Sequence, residues 1–240
     1  MSEGEIPEEQ ELAAQGLTLV GALHSLPLFD DIFLRFQAQN LDIVDQYLRQ
    51  LERELLDRHM EQDTTPTAQA MVVSALSQLW VFGVYELLRT WRQRAREFLE
   101  LAEELSRLPE DKQQRAIEDR VERARRKGVV DTIALEPYKR ELQYSLDPAA
   151  VSAVRTARDR VQTVFRKTEA LRMNLAKHEI PRASGARARA PGYARIDPTS
   201  GSMSWEIDLG NRVVDSITRL DISSAVHSLG RGVPPSGEAA

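Results

Sequence analysis

The chain is written in long stretches of helical period, broken by a few prolines and glycines. Asp30 or Asp31 can cap a first long helix. Along it Phe33, Phe36, Val44, Tyr47, Leu51 and Leu55 recur on one face to about Met60. The run Asp63-Thr64-Thr65-Pro66-Thr67 breaks the pattern and restarts it, with Pro66 suited to a first helical position. A second helix is predicted from about Thr67 to Leu108, ended by Pro109. Its middle, Met71 to Leu88, is apolar nearly all round, as in the central buried helix of a bundle. Ser74, Ser77, Gln78 and Glu86 interrupt it, which makes it short for a bilayer span. Trp80, Phe82, Trp91 and Phe98 fall at helical spacing and read as core. Glu110 to Lys127 is strongly charged and stops at Gly128, which predicts a solvated helix projecting from the core. A short helix follows around Pro137 to Leu146. Asp147-Pro148 then opens a long one that reaches about Glu179 and is stopped by Pro181.

Beyond Pro181 the period changes. Residues 181–192 are rich in Pro, Gly, Ala and Arg and read as a basic flexible linker. Tyr193 to Ile196 and Met203 to Leu209 alternate like strands about an Asp197-Pro198-Thr199-Ser200-Gly201 turn. Gly210-Asn211 turns into a third strand through Val213, Val214 and Ile217. Asp221 can cap a last short helix, Ile222 to Leu229, and Trp205 is placed to anchor the hairpin to the bundle. The predicted fold class is mainly α: an up-and-down helical bundle with a small C-terminal β appendage. The divisions are a loosely ordered segment (1–28), the bundle (29–180), the linker (181–192), the hairpin with its short helix (193–229) and a disordered tail (230–240).

Composition narrows the classes. The 240 residues are 42% hydrophobic and 29% charged, which suits a soluble globular protein with a substantial core. The absence of cysteine excludes disulfides and thiolate chemistry and fits a cytoplasmic setting. A net charge of −5 gives no global attraction to nucleic acid or anionic membrane, so RNA binding would need a local basic patch. The start is acidic (Glu3, Glu5, Glu8, Glu9, Glu11), unlike a signal or transit peptide. There is no His-x(3)-His, no His-Glu-x-x-His and no Gly-rich phosphate loop, so neither a metal nor a cofactor is expected.

One residue breaks the pattern of its helix. Residues advance about 100° each, so Val151, Val154, Val164, Phe165, Thr168, Leu171 and Leu175 form one apolar stripe about Val161. Arg172 lands near its centre and His178 at its edge. A buried guanidinium needs a partner or a wet site. A second Arg…His pair, Arg53 and His59, is set apart by geometry: Arg53 falls about 120° from the stripe centred on Tyr47 and should face water.

The Arg172–His178 spacing resembles the Arg-x(4–6)-His signature of the HEPN superfamily, all-α bundles that carry it on a late helix. The resemblance spans roughly Asp30 to Glu179. An earlier buried helix often adds an acid, here Glu86 within the apolar run Trp80 to Leu88. Many such proteins are metal-independent endoribonucleases with two signatures face to face in a homodimer. The resemblance implies that Arg172 stabilises charge on the scissile phosphate and that His178 is general acid or base. Asn174 would orient the site, and Glu86 would hold Arg172. The chain has Met173 where the family often has a polar residue. The linker's Arg182, Arg187 and Arg189 would supply the RNA-binding patch. A toxin or defence role, with a protein inhibitor or activator as partner, is part of the same expectation. The alternative is a non-catalytic helical interaction or dimerisation protein in which Arg172 forms a buried salt bridge to Glu86.

Overall fold

Three long antiparallel helices carry the architecture, and the middle one is the most apolar. The computed structural model describes residues 18–62, 64–128, 135–176, 194–208 and 214–230. Among these lie α1 (Leu19–His24), α2 (Ile32–Gln62), α3 (Thr67–Ser106), α4 (Glu110–Arg126), α5 (Leu135–Tyr144) and α6 (Pro148–Ala176). A three-stranded antiparallel sheet follows, β1 (Arg195–Ile196), β2 (Met203–Asp208) and β3 (Val214–Thr218), in that spatial order. The last helix is α7 (Arg219–His227). The mainly α bundle with a small β appendage is the architecture observed.

α3 is the hub, with α2 on one side and α6 on the other. It buries Val73, Trp80, Val81, Val84, Leu87, Leu88, Trp91 and Phe98. Among the described residues it is the one helix long and apolar enough to cross a bilayer, by length and composition, and 39% of that apolar window is buried. Its two tryptophans also make polar ties. Trp80 donates to the Leu41 carbonyl (3.1 Å) and Trp91 to the Pro27 carbonyl (2.8 Å), so their buried N–H groups are satisfied. Gly83 lets Leu41 approach closely, since a Cβ there would sit 2.7 Å from its Cδ2.

Helix starts follow local chemistry. Asp31 caps α2, its Oδ1 accepting from the amides of Phe33 (2.9 Å) and Leu34 (3.0 Å). Pro66 stands just before α3 as its cap position and not as its first residue. Thr218, not Asp221, caps α7. Asp221 is the third residue of that helix and closes a capping box by accepting from the Thr218 amide (2.8 Å).

Three further expectations are corrected. Residues 18–28 are not loosely held: Leu19, Leu23 and Leu26 are in the main core. α4 does not simply project, because Ile117 joins Leu105 of α3 and Leu142 of α5 in a small second core. Most consequentially, the buried face of α2 is only in part the predicted one. Leu34, Ala38 and Leu48 are buried together with Asp42, Asp45 and Glu52; of the predicted stripe Leu55 is buried and Val44 and Leu51 pack against the core, whereas Phe33, Phe36 and Tyr47 face water. The true core face lies roughly a third of a turn round the helix from the predicted stripe. The predicted linker (181–192) and the tail beyond Gly230 lie outside the described residues.

The hairpin is seated on α2 at a glycine. Gly201 has φ +68°, and a Cβ there would lie 2.1 Å from the Glu52 carbonyl oxygen. Only a residue without a side chain fits both the left-handed backbone and the contact. Gly201→Ala is therefore expected to destabilise the protein by at least ~1 kcal/mol, read by urea unfolding. An unchanged midpoint would mean that the hairpin is not held against α2.

Candidate functional site

The predicted site residues are only partly brought together. Arg172 is half-buried at the edge of the α6 stripe, not at its centre, while Leu171 and Leu175 beside it are buried. Its guanidinium lies 5.1 Å from the centre of the Tyr85 ring and donates to the Met173 sulfur (3.3 Å). Glu86 is exposed and pairs with Arg89 one turn along its own helix (2.7 Å), so it does not hold Arg172. Asn174 donates to the Glu206 carbonyl (2.9 Å), which ties α6 to β2. Arg53 faces water as expected. His178 and the linker residues Arg182, Arg187 and Arg189 lie outside the described residues.

Arg172 ends a ladder of rings and cations between α3 and α6. Tyr85 stacks on Phe165 with centres 5.3 Å apart, and the Arg92 guanidinium lies 3.8 Å from the centre of the Phe165 ring. Cation–π contact thus explains an arginine at an apolar edge without any acid.

The buried ionic centre is elsewhere. Arg219, fully buried at the start of α7, forms a bidentate pair with Glu52, Nε to Oε1 (2.7 Å) and Nη2 to Oε2 (2.5 Å). Its Nη1 donates to Asp45. Glu52 also accepts from the Ser202 hydroxyl (2.9 Å), and Asp45 accepts from Ser223 (3.1 Å) and Arg49 (2.9 Å). His227 Nε2 stands 3.9 Å from Asp45 and 3.2 Å from Arg49. The Arg219 guanidinium lies 5.2 Å from the centre of the Trp80 ring. Burial alone would raise the Asp45 pKa. The nearby His227 ring and the Arg219 and Arg49 charges outweigh it and hold the carboxyl well below the usual range. This centre went unseen in the sequence, where His227 read as ordinary. Its signal was the i, i+3, i+10 row Asp42, Asp45, Glu52, which shares one helix face.

With every member engaged by its neighbours, the centre is built to hold elements together. Among the described residues no group of three His, Asp or Glu side chains is arranged to hold a metal ion.

No family model, curated protein or solved structure matches this chain. The functional reading therefore rests on its surfaces.

The least ordinary surface is the outside of α2 and α3. Phe33 (70%), Phe36 (58%), Ile43 (65%) and Tyr47 (53%) are exposed on α2, and Met71, Val72 and Leu79 on α3. From Phe36 to Gln50 the exposed positions of α2 are Phe36, Gln37, Gln39, Asn40, Ile43, Gln46, Tyr47 and Gln50, none of them charged. α3 likewise carries no charge between Thr67 and Tyr85. In a chain that is 29% charged, two adjacent helices present an uncharged outer face rich in aromatic and aliphatic groups.

The ionic centre sets the acid response. Because the Asp45 pKa is depressed on folding, its contribution is present above the ordinary carboxylate range. That contribution is lost as pH falls through the lower folded value. Arg219→Ala leaves two buried carboxylates without their cation and is expected to cost about 3–5 kcal/mol at neutral pH. The loss should shrink as the pH falls from neutral through the ordinary carboxylate range near about 4, because buried acids deprived of their cation take up protons more readily than free ones. Urea unfolding of both proteins across pH checks this, and a pH-independent loss would show that the pairing is not the source.

Proposed function

We propose that this chain is a helical interaction protein that associates with a second copy of itself through the outer face of α2 and α3. The carrying observation is the exposure of Phe36, Ile43, Tyr47, Val72 and Leu79 on neighbouring antiparallel helices with no charge between them. Depletion of charge together with exposed aromatics is the composition of interface cores. The exposed apolar side chains offer on the order of 800 Å², one partner's share of a standard interface. Two such faces related by a two-fold axis make a four-helix arrangement. Gln37, Gln39, Asn40, Gln46 and Gln50 are exposed on or beside the same face, and their amides favour a protein partner over hydrocarbon, where they would lose their hydrogen bonds.

Sedimentation equilibrium on the whole chain is expected to give twice the 27.1 kDa chain mass. The Ile43→Asp/Leu79→Asp variant is expected to give a folded monomer. A wild-type monomer at tens of micromolar (~8 kcal/mol is the free energy of a micromolar complex) would overturn the reading. Flotation of the wild type with neutral phosphatidylcholine vesicles, abolished in the same variant, would assign the face to lipid instead.

The HEPN-like nuclease is the second reading. One observation favours it: the Arg172 guanidinium has no carboxylate partner among the described residues and could meet a phosphate. In this reading Arg172 and His178 cleave RNA without metal, and self-association brings two such sites together. Incubation of the purified chain with mixed RNA in EDTA tests it. The expected result is cleavage that disappears in both Arg172→Ala and His178→Ala. An inert wild type, or cleavage retained by either variant, would refute it.

A further inference from the structure

We propose that the groove between α3 and α6 is a binding site for a compact phosphate-bearing anion. The groove has a volume of about 530 Å³ and is lined by Arg89, Arg92, Arg96 and Arg158 with the amides of Gln93 and Gln162. Asp159 is the one carboxylate among its lining residues. Arg89, Gln93 and Arg96 stand at i, i+4 and i+7 on α3, so they share a face, and Arg158 and Gln162 stand at i, i+4 on α6 opposite. The helices thereby set guanidinium forks on two walls of one cleft.

The cations meet only weak or outlying counter-charges: Arg96 lies 3.7 Å from Glu100 with both side chains exposed. Arg89 pairs with Glu86, which is not among the lining residues. The Arg158–Asp159 contact is 3.7 Å between neighbours in sequence with exposed side chains, a weak pairing. Arg92 is held in place by the Phe165 ring and by Gln162, to which it donates (2.6 Å). Its Nε–H is buried and meets no acceptor. Burial lowers the Arg92 pKa, and the like charges of Arg158 and Arg166 lower it further, against Glu169 and Tyr85. Such crowding is relieved by an anion that accepts from several guanidinium groups at once, as phosphate oxygens do.

The ligand is compact. Beyond the shared Arg96 and Arg158, the adjoining cavity adds two carboxylates, Glu100 and Glu103, against one arginine, Arg155. An extended polyanion leaving the groove in that direction would run onto carboxylates, on a chain whose net charge is already −5.

Calorimetric titration of the whole chain with inorganic triphosphate at low ionic strength tests the site. One saturable site is expected. Arg96→Gln/Arg158→Gln should weaken it at least about tenfold, with an unchanged melting temperature in the absence of the anion. Arg158→Lys keeps the charge and removes the fork. It should give a smaller but measurable loss, which keeps the test intact if the double variant fails to fold. Arg123→Gln/Arg125→Gln, on α4 outside the groove, should bind like wild type. The site is refuted by a wild type without saturable heat, or by equal weakening in the α4 variant. Tighter binding of a single-stranded oligonucleotide through Arg96 and Arg158 would overturn the compact ligand in favour of nucleic acid.

Discussion

Arg219 is the constraint on which the assembly turns. A guanidinium with no exposed surface is tolerable only where its donors find acceptors, and Asp45 and Glu52 provide them from one face of α2. Such a triad adds little net stability, because desolvation offsets attraction. It does set a steep penalty on every misplacement, since a shift of one residue along α2 would strand three buried charges. The C-terminal unit is thereby fixed in register on a helix that lies 167 positions earlier in the chain. Gly201 works to the same end from the backbone side, bringing the hairpin turn against the Glu52 carbonyl while Ser202 reaches the Glu52 carboxylate.

The acids of α2 divide the work of docking. Asp42 accepts from the Val20 amide (3.3 Å) and so receives α1. Asp45 receives α7 through Arg219 and Ser223, and Glu52 receives the hairpin turn. α3, by contrast, is joined to α2 mainly by apolar contact around Leu41, Gly83 and Trp80. Polar contacts are directional and position the late elements; apolar contacts are not and supply the bulk of the core.

This arrangement explains what the sequence disclosed and what it hid. Prolines, caps and helical period placed the long helices within a few residues, marked α3 as central and separated the hairpin from the bundle. The face of α2 was misread for a physical reason. Amphipathic reasoning assigns carboxylates to water, yet Asp45 and Glu52 are buried because their counter-ion arrives from α7. With those positions treated as solvent-facing, the stripe was drawn through Phe33, Phe36 and Tyr47 as well as Val44, Leu51 and Leu55. The reading of Arg172 failed differently. Its helix stripe was right, but which neighbour meets an arginine depends on the packing of α3 against α6, and the neighbour proved to be the Tyr85 ring and not the Glu86 carboxylate.

The misreading of α2 is itself informative about the molecule. A helix whose core face is closed by charge and whose solvent face is aromatic, aliphatic and amide-bearing has its hydrophobic requirement met on only one of two sides. Burial of the open side against a second chain would stabilise the fold by mass action, in proportion to concentration. It would do so through the same helix that Arg219 holds in register. In the proposed dimer, self-association would use the face of α2 away from the one that docks the C-terminal elements. The ionic clamp fixes the rotation of α2, and Phe36, Ile43 and Tyr47 stand exposed on its outer side. Preorganisation of this kind removes the ordering cost that an interface otherwise carries. A polar core face is therefore compatible with, and useful to, an apolar outer one.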